Sequence, residues 1–277
     1  MFNFLSKKIG VIGCGNMGRA IAERISLKYK VWIFEKDASK IQGLNWVTVV
    51  PDIAKLLKPS QAVILAVKPQ DFEPVLAELK DKLQNKLVIS IAAGITTEYI
   101  QKVLGKVRVI RVMPNLAAKV GQSTTSICKG ALATDEDLKF VEELFKCLGS
   151  VFIFSEQMMD AATAIAGSGP GFWCELVKDK PQDEWELYSW EHFIPDLTSA
   201  AEEVGFDKKE AIMLATSTTM GTLAIIKTLG ESPESLQTKV ASKGGTTQAG
   251  LEALRNTGLL VEAAKAAVLR SKELSKK

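Results

Sequence analysis

The chain has 277 residues, 47% hydrophobic and 24% charged, with a net charge of +3 at neutral pH; this is enough for one large domain or two ordinary ones with ample core. Both signs of charge are spread along the chain, so no nucleic-acid surface is implied. Met1–Leu5 is too short an apolar run for a signal peptide, no segment approaches the expected length of a membrane span, and Cys14, Cys128, Cys147 and Cys174 have neither C-x-x-C spacing nor a histidine at ligand spacing. The expectation is a cytoplasmic, reduced, metal-free protein with neither a membrane nor a nucleic acid as partner.

The first element is a short apolar run, Ile9–Ile12, followed by Gly13, Gly15 and Gly18 at G-x-G-x-x-G spacing and by helical character over Met17–Leu27. Strand, tight turn and helix start is the context that gives this spacing meaning. Gly13 permits the turn, Gly15 lets backbone approach a pyrophosphate, and Gly18 lets the helix pack closely on the strand. Asn16 and Met17 fall in the same turn and join the cofactor-binding set, because N–H groups at a helix start face phosphate. Lys30–Phe34 reads as a second strand. Glu35 closes it, seventeen residues beyond Gly18, where an acid bonds ribose hydroxyls and favours NADH. Lys36 follows directly and points the other way, towards the 2′-phosphate of NADPH. The pair leans to NADH within an NAD(P)H reading.

Val47–Val50 is a short third strand, and Pro51–Leu57 reads as a helix opened by proline. Ala62–Val67 is apolar throughout, as a strand buried on both faces of a parallel sheet should be. Ala66, Val67 and Lys68 follow or end it, where residues past a strand's carboxyl end line a ligand crevice. Lys68 there either supports an anionic ligand or is simply solvated. Phe72–Leu83 and Thr96–Leu104 have helical periodicity, and Leu87–Ile91, Val107–Met113, Thr124–Cys128 and Val151–Phe154 complete the strands. Met113, Pro114 and Asn115 sit at a strand end, as ligand-facing residues or as an ordinary turn. Asp135–Leu148 is amphipathic, with Leu138, Val141, Leu144, Phe145 and Leu148 on one stripe. Strands alternating with helices predict an α/β Rossmann-type dinucleotide-binding domain over residues 1–155.

From residue 156 to 277 strand-like runs vanish and the chain reads as all-α, with helices over Met158–Ala166, Thr198–Val204, Lys208–Leu229, Thr247–Leu254 and Leu260–Leu274. With no linker between the two parts, the cleft between them is the expected substrate site. Gly167-Ser168-Gly169-Pro170 breaks one helix and starts another. Ser242-Lys243-Gly244-Gly245-Thr246-Thr247 leads into a helical segment, so its N–H donors form an anion receptor or an ordinary capped turn. His192, the only histidine, reads as a packing or surface residue. Trp185, Trp190 and Phe193 are expected to form an apolar surface over a subunit contact or the cleft.

VIGCGNMG, AVKP, RVMPN, AIAGSGP and ASKGGTTQAGL, in this order, resemble the pyrroline-5-carboxylate reductase family over nearly the whole chain. The resemblance implies hydride transfer from NAD(P)H to the cyclic imine 1-pyrroline-5-carboxylate, giving L-proline. It also implies a helical dimerisation domain through which the chain forms a homodimer or larger homo-oligomer. By the same resemblance, Ser242, Gly244, Gly245, Thr246 and Thr247 hold the substrate carboxylate, and Lys68 with Met113–Asn115 lines the nicotinamide end. Thr247 and Lys68 are then the catalytic candidates, with Thr247 bonding the ring nitrogen and no metal needed. The chain departs from the family's usual pattern at Leu116-Ala117 (Thr-Pro in the family), at Lys243 (Pro in the family), and in a longer Gly171–Gly205 segment that Pro181 should interrupt. A related imine reductase, or a β-hydroxyacid dehydrogenase on the same architecture, is the enzymatic rival. The latter would carry a lysine four residues after the second glycine of its G-x-G turn, where Trp173 stands relative to Gly169. A non-catalytic nucleotide-binding paralogue is the rival of another class.

Overall fold

The structure, a computed structural model, describes residues 7–275; the Met1–Leu5 run lies outside them. The chain forms two compact units. One holds the residues up to Val112 together with Ile127–Glu156, and the other holds Met113–Ser126 together with the residues from Gln157 onward. The expected change of character near residue 156 is one of the crossings. The short excursion of Met113–Ser126 into the helical unit carries no compositional mark in the sequence.

The first unit is built from strands β1 (Lys8–Ile12), β2 (Lys30–Phe34), β3 (Thr48–Val49), β4 (Ala62–Leu65), β5 (Leu87–Ser90), β6 (Arg108–Met113), β7 (Ser123–Lys129) and β8 (Gly149–Ile153), with the end of β6 and the start of β7 assigned to the other unit. The sheet order is β3-β2-β1-β4-β5-β6-β7-β8, and the pairs from β3 through β6 are parallel. Every residue of β4 and β5 is buried, which explains their unbroken apolar runs. Helices α1 (Asn16–Ser26), α2 (Ile53–Leu57), α3 (Pro69–Leu79), α4 (Thr97–Leu104) and α5 (Asp135–Phe145) connect the strands.

Caps set several boundaries that periodicity misplaces. Asp52, not Pro51, starts α2, its carboxylate accepting from the Lys55 N–H at 2.6 Å. Helix α3 ends at Leu79, four residues before the expected end, and Asp81 and Asn85 beyond it adopt left-handed backbone (φ 61° and 59°). Thr134 and Asp137 cap α5 reciprocally.

The second unit comprises α6 (Met159–Ala162), α7 (Gly169–Val177), α8 (Trp185–Tyr188), α9 (Ile194–Glu203), α10 (Lys208–Leu229), α11 (Pro233–Val240), α12 (Thr246–Thr257) and α13 (Leu260–Ser275). A π turn at Thr163–Gly167 links α6 to the Ser168 corner, and another at Ser189–Phe193 joins α8 to α9. The helix expected from Thr198 therefore begins four residues earlier, at Ile194, and runs on from the π turn. Pro181 does interrupt the helix as anticipated, between α7 and α8. Helix α11 was missed, although Ser232 and Pro233 form an ordinary helix start, the Ser232 hydroxyl accepting from the Ser235 N–H.

Two expectations need correction. Phe193 is fully buried, and Trp185 packs edge-on against the buried Trp173 at 5.8 Å, so of the three aromatics only Trp190 is exposed. Among the described residues α10, at 22 residues with an 18-residue stretch of mean hydropathy 1.3, is long and apolar enough to cross a membrane, contrary to the reading that no segment approaches that length. Its Ala211, Leu214, Ala215, Thr218 and Gly221 are buried within the unit, and a buried core helix meets the same criterion.

Candidate active site

The order of strands reverses between β1 and β4, and the chain leaves both at that point. Ile12 pairs with Leu65, and the Ala66 N–H donates to the Ile12 carbonyl at 2.8 Å. Ligands of open α/β sheets bind at such a reversal, beyond the strands' carboxyl ends. Gly13 stands there with φ 101°, and a Cβ on it would lie 2.6 Å from the Ala66 carbonyl oxygen. A Cβ on Gly18 would lie 2.2 Å from the Gly13 carbonyl oxygen, so α1 seats on the turn only because both residues are glycine. Gly15 differs: nothing stands within 4 Å of an added Cβ, and no side chain caps α1 there. The open space and the first-turn N–H groups of Asn16 and Met17 make a cradle that fits a pyrophosphate.

A cavity of about 270 Å³ opens beside this turn, lined among others by Gly15, Glu35, Lys36, Lys40, Val67 and Lys68. Glu35 has only 11% of its side chain exposed. Its carboxylate accepts from the Cys14 N–H at 2.6 Å and from the Asp37 N–H at 3.1 Å, with Lys40 Nζ 4.0 Å away. Lys40 is a residue the sequence reading missed. It is carried by a 3₁₀ turn at Ala38–Ile41 that Asp37 caps, accepting from the Ser39 N–H at 3.0 Å. The pattern Asp37-Ala38-Ser39 was the available signal. Cys14, inside the glycine turn, is a buried neutral thiol whose pKa burial pushes up. Lys68, at the N-terminus of α3, is exposed at the rim.

In the helical unit, the segment from Ser242 to Gly245 folds back on itself. Gly245 N–H donates to the Ser242 carbonyl at 3.0 Å, and Gly244 N–H donates to Gln248 Oε1 at 2.8 Å. Gly244 has φ 68°, and its carbonyl accepts from Arg270 Nε at 2.8 Å. Helix α12 then starts at Thr246 with Gly245 at its cap position and no side-chain cap, so its first N–H groups and positive dipole end are available to an anion. Thr247 is buried and donates its hydroxyl to Ser168 Oγ at 3.1 Å, and Thr246 Oγ1 lies 3.2 Å from the same oxygen. Ser242, Lys243 and Gly244 are exposed. Three helices are clamped behind this start: Glu175 of α7 accepts from Arg255 of α12 at 2.8 Å and from Gln237 of α11 at 2.9 Å. Arg255 foremost holds the Glu175 carboxyl down to about 2.

The Asn115 side chain is engaged within the helical unit. It is buried, its Oδ1 accepting from the Ala117 and Thr124 N–H groups at 3.2 Å each and its Nδ2 donating to the Ala166 carbonyl at 3.1 Å. It thus fixes the Met113–Ser126 excursion within the helical unit. Ala117 in that excursion is buried beside Gly221 of α10, where an added Cβ would lie 3.0 Å from Ala117 Cβ. Among the described residues, no group of three His, Cys, Asp or Glu side chains could share a metal ion.

A parallel sheet reversing beside a glycine turn, with a carboxylate closing the neighbouring strand, defines a nicotinamide-nucleotide oxidoreductase domain, here followed by a helical unit whose α12 starts without a side-chain cap. Comparison with known proteins narrows this. Residues 8–94 match the family described as NADP oxidoreductase coenzyme F420-dependent, and residues 190–274 match pyrroline-5-carboxylate reductase dimerisation. A pyrroline-5-carboxylate reductase of Methanosarcina acetivorans is 34% identical over 98% of this chain and 99% of its own. The solved pyrroline-5-carboxylate reductase of Coxiella burnetii is 30% identical, with a TM-score of 0.66 over 98% of this chain and 100% of that one. The Plasmodium falciparum pyrroline carboxylate reductase, solved with NADP bound, is 25% identical, with a TM-score of 0.62 over 97% and 98% of the two chains. The chain belongs to the pyrroline-5-carboxylate reductase family.

Proposed function

We propose that the chain reduces 1-pyrroline-5-carboxylate to L-proline with NAD(P)H, a step of proline biosynthesis. The observation that carries this reading is the uncapped start of α12, where Thr246 and Thr247 stand behind a glycine turn with their N–H groups open to a carboxylate. Reduced nicotinamide, when bound, supplies the hydride. The backbone of Gly13, Gly15, Asn16, Met17 and Gly18 holds its pyrophosphate, and Glu35 takes the ribose hydroxyls. Ala66, Val67 and Lys68 line the nicotinamide end, and Asn115 supports the segment that carries Met113 and Pro114. Ser242, Gly244, Gly245, Thr246 and Thr247 clamp the substrate carboxylate. A protonated imine is already electrophilic, so the protein's contribution is orientation and charge placement rather than a strong acid. Lys68 adds positive charge at the rim of the cradle, and Thr247 is the hydroxyl assigned to the ring nitrogen.

The nucleotide role is assigned to residues 1–155 and the substrate and dimerisation role to 156–277, with the Met113–Ser126 excursion serving the latter. NADH is the favoured cofactor because Glu35, rather than either lysine, is held close against the glycine turn. The partner is a second copy of the chain or more. The match to a dimerisation family supports this, as do Ile212, Met213 and Met220, which α10 leaves exposed. A cytoplasmic location is supported by four cysteines that all remain free thiols. The test is oxidation of NADH and of NADPH by the purified chain with and without the cyclic imine. Imine-dependent oxidation with proline as product supports the reading. Cofactor binding without turnover would instead favour the non-catalytic nucleotide-binding paralogue.

A further inference from the structure

Three hydroxyls meet at the start of α12, and a hydroxyl has only one hydrogen to give. We propose that Ser168 is a positioning residue that holds the Thr247 oxygen as a hydrogen-bond acceptor, so that the site takes the cyclic imine in its protonated, zwitterionic form. This rests on the reading of Thr246 and Thr247 as the substrate loop.

Ser168 is fully buried, and its backbone is committed elsewhere. Its N–H donates to the Thr163 carbonyl at 3.0 Å, closing the π turn, and its carbonyl accepts from the Gly171 and Phe172 N–H groups at 2.9 and 3.2 Å. Only Oγ remains, and it faces both threonines of α12. Thr247 gives its hydrogen to Ser168, which leaves lone pairs on the Thr247 oxygen. Ser168, having accepted, still has its own hydrogen to give, and we assign it to Thr246, whose oxygen lies 3.2 Å away in a pair where either atom can donate. Thr246, only half-buried, keeps a hydrogen for an anion. The run therefore has a direction, accepting at Thr247 and donating at Thr246.

A cyclic imine carboxylate in its protonated form carries the complementary pair on one ring: an N–H⁺ donor next to the carbon that bears the carboxylate. The neutral imine would set a nitrogen lone pair against the lone pairs of Thr247. Hydride adds to the imine carbon, and the C=N π electrons move to nitrogen and cancel its charge. The product amine keeps the N–H that the substrate brought, so no proton leaves the hydroxyls.

The experiment is a double-mutant cycle on the full chain with Ser168→Ala, Thr247→Ala and both together, read as kcat and KM for imine and NADH across pH. Ser168→Ala is expected to lower kcat/KM for the imine by about tenfold, with KM for NADH unchanged. The double variant is expected to be no worse than Thr247→Ala alone, because Ser168 acts through Thr247. In Ser168→Ala the fall of kcat/KM with rising pH should become shallower, since Thr247 can then turn its hydrogen towards the neutral imine. Ser168→Cys keeps a weak partner in the same place and should recover part of the loss. It also completes the cycle if the alanine variant does not fold. Losses that multiply in the double variant, or an unchanged pH slope in an active enzyme, would overturn this inference alone. A parent chain that does not reduce the imine would overturn it together with the reading beneath it.

Discussion

The backbone N–H of Cys14 donates to Glu35 Oε2 at 2.6 Å, tying the glycine turn after β1 to the carboxylate that ends β2. Two features separated by twenty-one positions in sequence thus form one rim, with the acid nearly buried and Lys40 4.0 Å beyond it. A charge held by two N–H groups is fixed before any ligand arrives.

Cofactor choice follows from that rim. Catalytic efficiency is expected to be higher with NADH than with NADPH, and Glu35→Ser should narrow the gap. The measurement is kcat/KM for each cofactor in both proteins. A wild-type preference for NADPH of tenfold, about 1.4 kcal/mol, would mean that Lys36 and Lys40 outweigh the carboxylate.

Gly15 and Gly18 separate cofactor contact from fold. An added Cβ meets nothing at Gly15 but lies 2.2 Å from backbone at Gly18. Gly15→Ala should therefore keep the wild-type melting temperature while losing affinity for NADH in a fluorescence titration. Gly18→Ala should lose both, as α1 is forced off the turn. Undiminished NADH affinity in Gly15→Ala would remove the pyrophosphate from this cradle.

The first unit was legible because its signals are local and regular. Buried parallel strands such as Ala62–Leu65 read as apolar runs, and Gly13 and Gly18 are fixed by close approaches that admit no Cβ. The turn before α12 was legible for the same reason, with Gly244 at positive φ leading into a helix start. What stayed hidden depends on distant pairs. Ser168 gains its role from Thr247, 79 positions away, and Glu175 from Arg255, 80 positions away. Phe193, read as surface, is buried within the π turn before α9, and no residue type announces such a turn.

At the loop itself, blocking close approach should hurt more than trimming a hydroxyl. A Cβ on Gly245 would lie 2.3 Å from Ser242 Oγ and 3.1 Å from the Ser242 carbonyl oxygen. Gly245→Val should thus spread the turn and nearly abolish binding of a carboxylate analogue such as proline, with NADH binding intact. Thr247→Ala should lose about 1–3 kcal/mol, seen in imine turnover. Calorimetric titrations of Gly245→Val with each ligand decide it, and undiminished proline binding would place the substrate on another loop.

Acid stability should report the Glu175–Arg255 clamp. The folded carboxyl titrates near 2, below its ordinary 4.5. Its stabilisation is therefore full above pH 4.5 and is lost as pH falls towards 2. Arg255 is half exposed, so solvent screening keeps the contribution to about 1–2 kcal/mol. The melting temperatures of wild type and Glu175→Gln should differ at neutral pH and converge in acid. A gap independent of pH would assign the effect to packing.

The most direct measurement follows the hydride. NADH deuterated on the transferring face of the nicotinamide C4 is incubated with the chain and 1-pyrroline-5-carboxylate, and the product is analysed by mass spectrometry. The expected result is proline carrying one deuterium, on the carbon that was the imine carbon, formed in step with NADH consumed. Unlabelled proline, or NADH oxidation that does not depend on the imine, would contradict hydride transfer to a cyclic imine.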